Sequence, residues 1–124
     1  MTNVIFVGLG GFVGAVLRYL ISIIPIKTGF PLHTFLTNIA GALIIGIVIG
    51  LIDADVLPKS HHQLFWKTGF CGGLTTFSTF SFESLSLVEA GKYAQGAAYI
   101  VLSILFCILG VFLGRMMVVK TRGM

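Results

Sequence analysis

The sequence predicts an all-α membrane protein with four transmembrane helices, the third of them broken. Three observations carry this prediction. The chain is 56% hydrophobic and its mean hydropathy is +1.04. Its 124 residues are 10% charged, against roughly 25% in an average soluble domain. Four apolar stretches each reach the ~20 residues that a helix needs to cross a hydrocarbon core of ~30 Å. A soluble globule of this length buries too small a share of its surface to hide so much apolar area.

The first span runs from about 3 to 24 and stops at Pro25, since proline cannot continue the helical ladder. The N-terminal run has no basic segment before it and no clear small-residue cleavage site, so it reads as a retained span rather than a secretory leader. The second span runs from about 32 to 52 and stops at Asp53 and Asp55. The third runs from about 64 to 88 and the fourth from about 94 to 118. The whole chain, 1–124, is then one four-helix domain with short loops and no room for a soluble domain or a lid.

An even number of spans puts both termini on one face. Lys59, Lys67, Arg115, Lys120 and Arg122 fall there, and Lys27 and Lys92 fall on the other. The positive-inside rule leans towards cytoplasmic termini, but the bias is small and insertion in both orientations stays open. The net charge of +4 is scattered, so the basic residues read as topology and headgroup anchors against membrane lipid, not as a nucleic-acid surface. Cys71 and Cys107 lie inside apolar runs, which argues against a disulfide scaffold or zinc spacing. His33, His61 and His62 sit at span ends or in a loop, without a third metal ligand beside them.

Sixteen glycines include four small-xxx-small pairs: Gly10 and Gly14, Gly46 and Gly50, Gly69 and Gly73, Gly110 and Gly114. Such pairs let helix backbones approach closely in lipid. Each span carries one, so each helix needs a protein neighbour. Four thin helices enclose little space alone, which points to an oligomer. The cluster from Gly8 to Gly14 follows no strand and is no dinucleotide fingerprint. No catalytic motif occurs, and no enzyme is predicted.

Polar groups inside the spans mark function, because lipid makes them costly. Arg18 either snorkels or acts as a fixed charge that attracts an anion or pins a neighbouring segment. Thr34 and Asn38 are four apart and share a face; Asn38 either glues helices or offers its amide to a ligand. The stretch Gly69 to Glu83 is rich in glycine and hydroxyls and contains the unfavourable pair Gly72-Gly73. A break at membrane depth is tolerated where it is buried in protein or lines a watery cavity. Its freed carbonyls would suit a small hard cation such as sodium; a simple kink is the alternative.

Beyond the break, Phe77 and Phe80 share a face, and aromatic edges carry partial positive charge. Glu83 needs a partner, with Arg18, Tyr99 and a hydroxyl as candidates. Tyr99, Ser103 and Cys107 form one polar stripe on the fourth span, either a donor track or a packing seam. This set is rich in neutral donors and poor in acids, which fits a dehydrated anion better than a cation or a proton.

Three motifs in order then carry a family resemblance over the whole chain. They are Gly10-Gly11-Phe12-Val13-Gly14-Ala15-Val16-Leu17-Arg18-Tyr19, Thr34 to Asn38 followed by Gly41, and Gly72-Gly73-Leu74-Thr75-Thr76-Phe77-Ser78-Thr79-Phe80. The chain resembles the Fluc/CrcB family of small fluoride channels. The resemblance implies an antiparallel dual-topology homodimer in the cell membrane, with two fluoride pores. It implies a structural sodium ion at the dimer centre, held by backbone carbonyls that carry over to Gly72 and Thr75. Asn38 matches the pore asparagine, and Phe77 and Phe80 match the phenylalanines that meet fluoride edge-on. Tyr99, Ser103 and Cys107 fall on the polar track of the fourth helix. Thr34, Ser78 and Glu83 match further pore-associated positions, and Arg18 matches a vestibule arginine.

Two residues depart from the pattern. His33 replaces a frequent glycine, and Cys107 replaces a frequent hydroxyl. The resemblance predicts passive efflux of cytoplasmic fluoride. The alternatives are a subunit of a heteromeric fluoride channel and a small proton-coupled multidrug-type exporter. The exporter would need an acid in the first span, which is lacking here.

Overall fold

The computed structural model describes residues 1–123, whose regular structure is all helical, with no strand among them. Helix α1 is Thr2–Ser22 and α2 is Leu32–Asp53. The next segment, α3, covers 61–74. It opens with one α-helical turn at His61–Gln63, widens into a π-helix at Leu64–Cys71 and tightens again at Gly72–Leu74. Helix α4 is Phe77–Glu89 and α5 is Tyr93–Thr121. Helices α1, α2 and α5 are each long and apolar enough to cross a membrane. The remaining expected span is divided between α3 and α4.

The division falls at Thr75 and Thr76, whose backbones are extended (φ −85°, ψ 156° and φ −149°, ψ 120°). Gly72 and Gly73 themselves are helical, so the interruption lies after the pair that drew attention to it. Gly73 is small because α1 crosses it: a Cβ there would sit 3.0 Å from the Ala15 nitrogen.

Two helix pairs organise the rest. Helix α1 lies along α3, and α2 lies along α5. All four predicted glycine pairs fall in these two crossings. A Cβ on Gly14 would collide with the Phe70 carbonyl, and one on Gly46 with the Val111 carbonyl. At the far end of α2, Asp53 pairs with Arg115 of α5 at 2.8 Å.

The buried core is small and local. Phe70, Cys71 and Leu74 cluster at the α3 end, while Phe80, Leu87 and Tyr99 cluster between α4 and α5. Large apolar side chains such as Phe12 and Phe112 are exposed. That arrangement is stable where the surrounding solvent is lipid, and the chain is a multi-pass membrane protein.

Candidate functional site

The site is built around the interruption. Asn38, in the second turn of α2, holds Thr76 from both sides. The Thr76 N–H donates to Asn38 Oδ1 at 2.8 Å, and Asn38 Nδ2 donates back to the Thr76 carbonyl at 3.2 Å. In a continuous α-helix that Thr76 N–H would reach the carbonyl of Gly72, four residues earlier. The side chain of Asn38 has intercepted it. Thr76 also caps α4, its Oγ1 accepting from the Thr79 N–H at 3.1 Å. The carbonyl of Thr75 thereby loses its helical donor in turn. The carbonyls of Gly72 and Thr75, which the family resemblance assigns to a cation, are thus left without their helical donors.

Arg18 accounts for one of the two carbonyls between them. Its Nε donates to the Gly73 carbonyl at 3.1 Å, across the α1–α3 contact. Of the roles open to Arg18, the structure displays the pinning one. Thr75 turns inward, its Oγ1 donating to the Cys71 carbonyl at 2.7 Å.

Beside the interruption lies a groove of about 610 Å³ whose walls come from α2, α3, α4 and α5. It brings together Asn38, Gly72, Thr75, Phe77, Phe80, Ser103 and Cys107. The two phenylalanine rings adjoin, with centroids 5.6 Å apart and planes tilted by 48°. Their exposures differ sharply: Phe77 is 80% exposed and Phe80 is 8% exposed. Ser103 is buried, and its Oγ has no hydrogen-bond partner among the described residues. An asparagine amide has two N–H bonds; one is used on Thr76, and no bond is formed by the second among the described residues.

The remaining predicted residues lie outside this groove. Tyr99 is fully buried behind Phe80, with ring centroids 5.1 Å apart. Its hydroxyl donates to Glu83 Oε1 at 3.0 Å, which selects Tyr99 from the partners considered for Glu83. Glu83 lines a second, smaller groove of about 330 Å³, together with Thr28, Ser86 and Lys92. Thr34 is buried near the start of α2 and lines neither groove. Ser78 is 3.3 Å from the Thr76 hydroxyl, at the start of α4 rather than in the groove wall.

Sequence reasoning missed two residues. The sequence assigns Thr76 no role, although its backbone and side chain together shape the interruption. The signal was a threonine three residues before Thr79, at capping spacing. The sequence reads Lys67 as a topology anchor, yet it lines the groove. The signal is a lysine near the start of the third span, directly after Leu64, Phe65 and Trp66.

Fold and site together define a small multi-pass helical membrane protein with a groove lined by neutral donors, aromatic rings and one lysine. The chain belongs to the CrcB-like family: the family model described as "CrcB-like protein, Camphor Resistance (CrcB)" matches residues 5–115. The chain is 47% identical over 120 residues to a protein of Ruminiclostridium cellulolyticum named fluoride-specific ion channel FluC, covering 94% of this chain and 92% of that one. It is 42% identical over 119 residues to a protein of the same name from Methanococcus aeolicus, covering 94% and 95%. A third relative with that name, from Methanocaldococcus jannaschii, is 40% identical over 116 residues, covering 93% of each chain.

Proposed function

We propose that this chain is a fluoride-selective channel that lets cytoplasmic fluoride leave passively through the cell membrane, relieving fluoride toxicity. The observation that carries the reading is the groove, where Asn38, Ser103 and the Phe77–Phe80 pair meet without a carboxylate in the wall. Fluoride is small and strongly hydrated, so each step into the protein must replace lost water with donors. The unpartnered Ser103 hydroxyl and the second Asn38 N–H are such donors. The positive ring edges of Phe77 and Phe80 add attraction without a full charge. Binding of this kind is strong enough for entry and weak enough for exit. The Tyr99 hydroxyl is committed to Glu83, so an arriving anion gains it only by displacing that bond. A negative-inside potential drives the ion outward by ~2.3 kcal/mol per charge per 100 mV.

The released carbonyls of Gly72 and Thr75 fit a structural sodium ion, as hard oxygen donors that have lost their helical N–H partners. A bound sodium ion would fix the interruption and neutralise the facing carbonyl dipoles. One chain offers two such carbonyls, and two copies would offer four. That supports an antiparallel, dual-topology homodimer with the interruptions facing each other. The open space in front of Gly72, where a Cβ would meet nothing within 4 Å, is compatible with a second copy there.

The test is ion efflux from liposomes carrying the purified protein. Fluoride should leave rapidly and chloride should be retained. Absence of fluoride flux would overturn the proposal. Phe80→Ile should cut fluoride flux with assembly unchanged; undiminished flux would remove the ring-edge contribution.

A further inference from the structure

Lys67 is the one charged side chain lining the main groove among the described residues. It is half-buried in the wall and makes no ion pair there, the single salt bridge among the described residues being Asp53–Arg115. The acids are engaged or distant. Asp53 is bound to Arg115, Glu83 is bound by Tyr99 and faces the other groove, and Asp55 and Glu89 lie outside both. The Lys67 ammonium therefore projects an uncompensated positive charge along the groove.

Its place along that groove follows from the chain path. Helix α3 starts on the face where α2 ends and runs back to Asn38. Lys67 precedes Thr75 by eight residues, so it stands up to about 12 Å from the interruption at helical rise. On α5, which runs the other way, Val111 also lines the groove, eight residues beyond Ser103. Lys67 thus marks the mouth opposite Glu83, set back from the donors at the interruption, where a full charge would trap an anion.

We propose that Lys67 is an entry residue, whose fixed charge concentrates fluoride at this mouth without binding it in the path. This rests on the channel reading above. A topology anchor would affect insertion; an entry charge affects flux in a way that salt screens. A unit charge at ~12 Å, with an effective dielectric of roughly 40 to 80, changes local anion occupancy about two- to threefold. The Debye length is ~30 Å at 0.01 M salt and ~3 Å at 1 M, so the effect should appear at low ionic strength and vanish at high.

The experiment measures initial fluoride efflux from liposomes for wild type, Lys67→Arg, Lys67→Gln and Lys67→Glu, at ~0.01 M and ~1 M ionic strength. Size-exclusion profiles serve as the assembly control. At low ionic strength Lys67→Arg should match wild type. Lys67→Gln should fall about two- to threefold, and Lys67→Glu by about the square of that. All four should converge at high ionic strength. A loss that is the same at both salts, or that Lys67→Arg does not rescue, overturns the entry role. Salt-independent equality of all four variants, with wild type conducting, overturns it and leaves the channel reading standing. Wild type without fluoride flux overturns both.

Discussion

Replacing Asn38 with alanine removes the two bonds that hold Thr76 outside a helix. A typical intramolecular hydrogen bond nets ~0.5–1.5 kcal/mol, and those between membrane helices average nearer ~0.6. The pair together contributes about 1–3 kcal/mol on the first scale and ~1.2 kcal/mol on the second. Most of the loss reflects a Thr76 N–H left without an acceptor in a half-buried place. The interruption should then slide or close, because Thr76 is free to seek the Gly72 carbonyl again. Equilibrium unfolding in mixed detergent micelles should show a destabilisation of about 2 kcal/mol, and fluoride efflux should fall more than about tenfold. Asn38→Asp keeps an acceptor for the Thr76 N–H but turns a second oxygen to the Thr76 carbonyl. It should lose less stability than alanine while still losing flux, since it puts negative charge in an anion path. If Asn38→Ala unfolds like wild type and conducts like it, the amide does not hold the interruption and the reasoning fails.

Other substitutions probe the remaining elements. Gly14→Ala drives a Cβ into the Phe70 carbonyl, so folded protein should be scarce by size-exclusion chromatography; a normal yield would contradict the tight α1–α3 crossing. Tyr99→Phe removes the hydroxyl that satisfies Glu83 and should reduce fluoride efflux with the helix content intact; unchanged flux would detach this pair from the path. Asp53→Asn breaks an exposed ion pair and should cost ~1 kcal/mol or less, with fluoride efflux preserved. Exchanging sodium for a large organic cation during purification should lower the thermal stability of wild type, and equal melting in both would count against the sodium site.

The glycine seams were legible because they obey a local rule. A small residue every four positions marks a close backbone crossing, and Gly10, Gly14, Gly46 and Gly114 each face a neighbouring main chain. Two helix ends lie near local signals: α1 ends at Ser22, three residues before Pro25, and α2 ends at Asp53. The site was harder to read. Composition pointed to Gly72-Gly73 as the weak point of the third span, but the interruption falls at Thr75 and Thr76. Asn38 decides that position from 38 residues away, and no window of local sequence contains both partners. Glu83 had three plausible partners on paper, and geometry brings up Tyr99, while Arg18 turns to Gly73. The polar stripe on the fourth span is likewise divided by depth. Ser103 and Cys107 line the groove, whereas Tyr99 sits behind Phe80. Helical periodicity gives a face, but the tilt of a neighbouring helix decides how far along it the groove runs.

The central claim is passive, uncoupled passage of fluoride through a path of neutral donors. The most direct measurement is the reversal potential of the current across a planar bilayer with a fluoride gradient, repeated with a proton gradient added. The account predicts a potential that follows the fluoride gradient and ignores the proton gradient. A potential that moves with pH, or no current in fluoride, would contradict it.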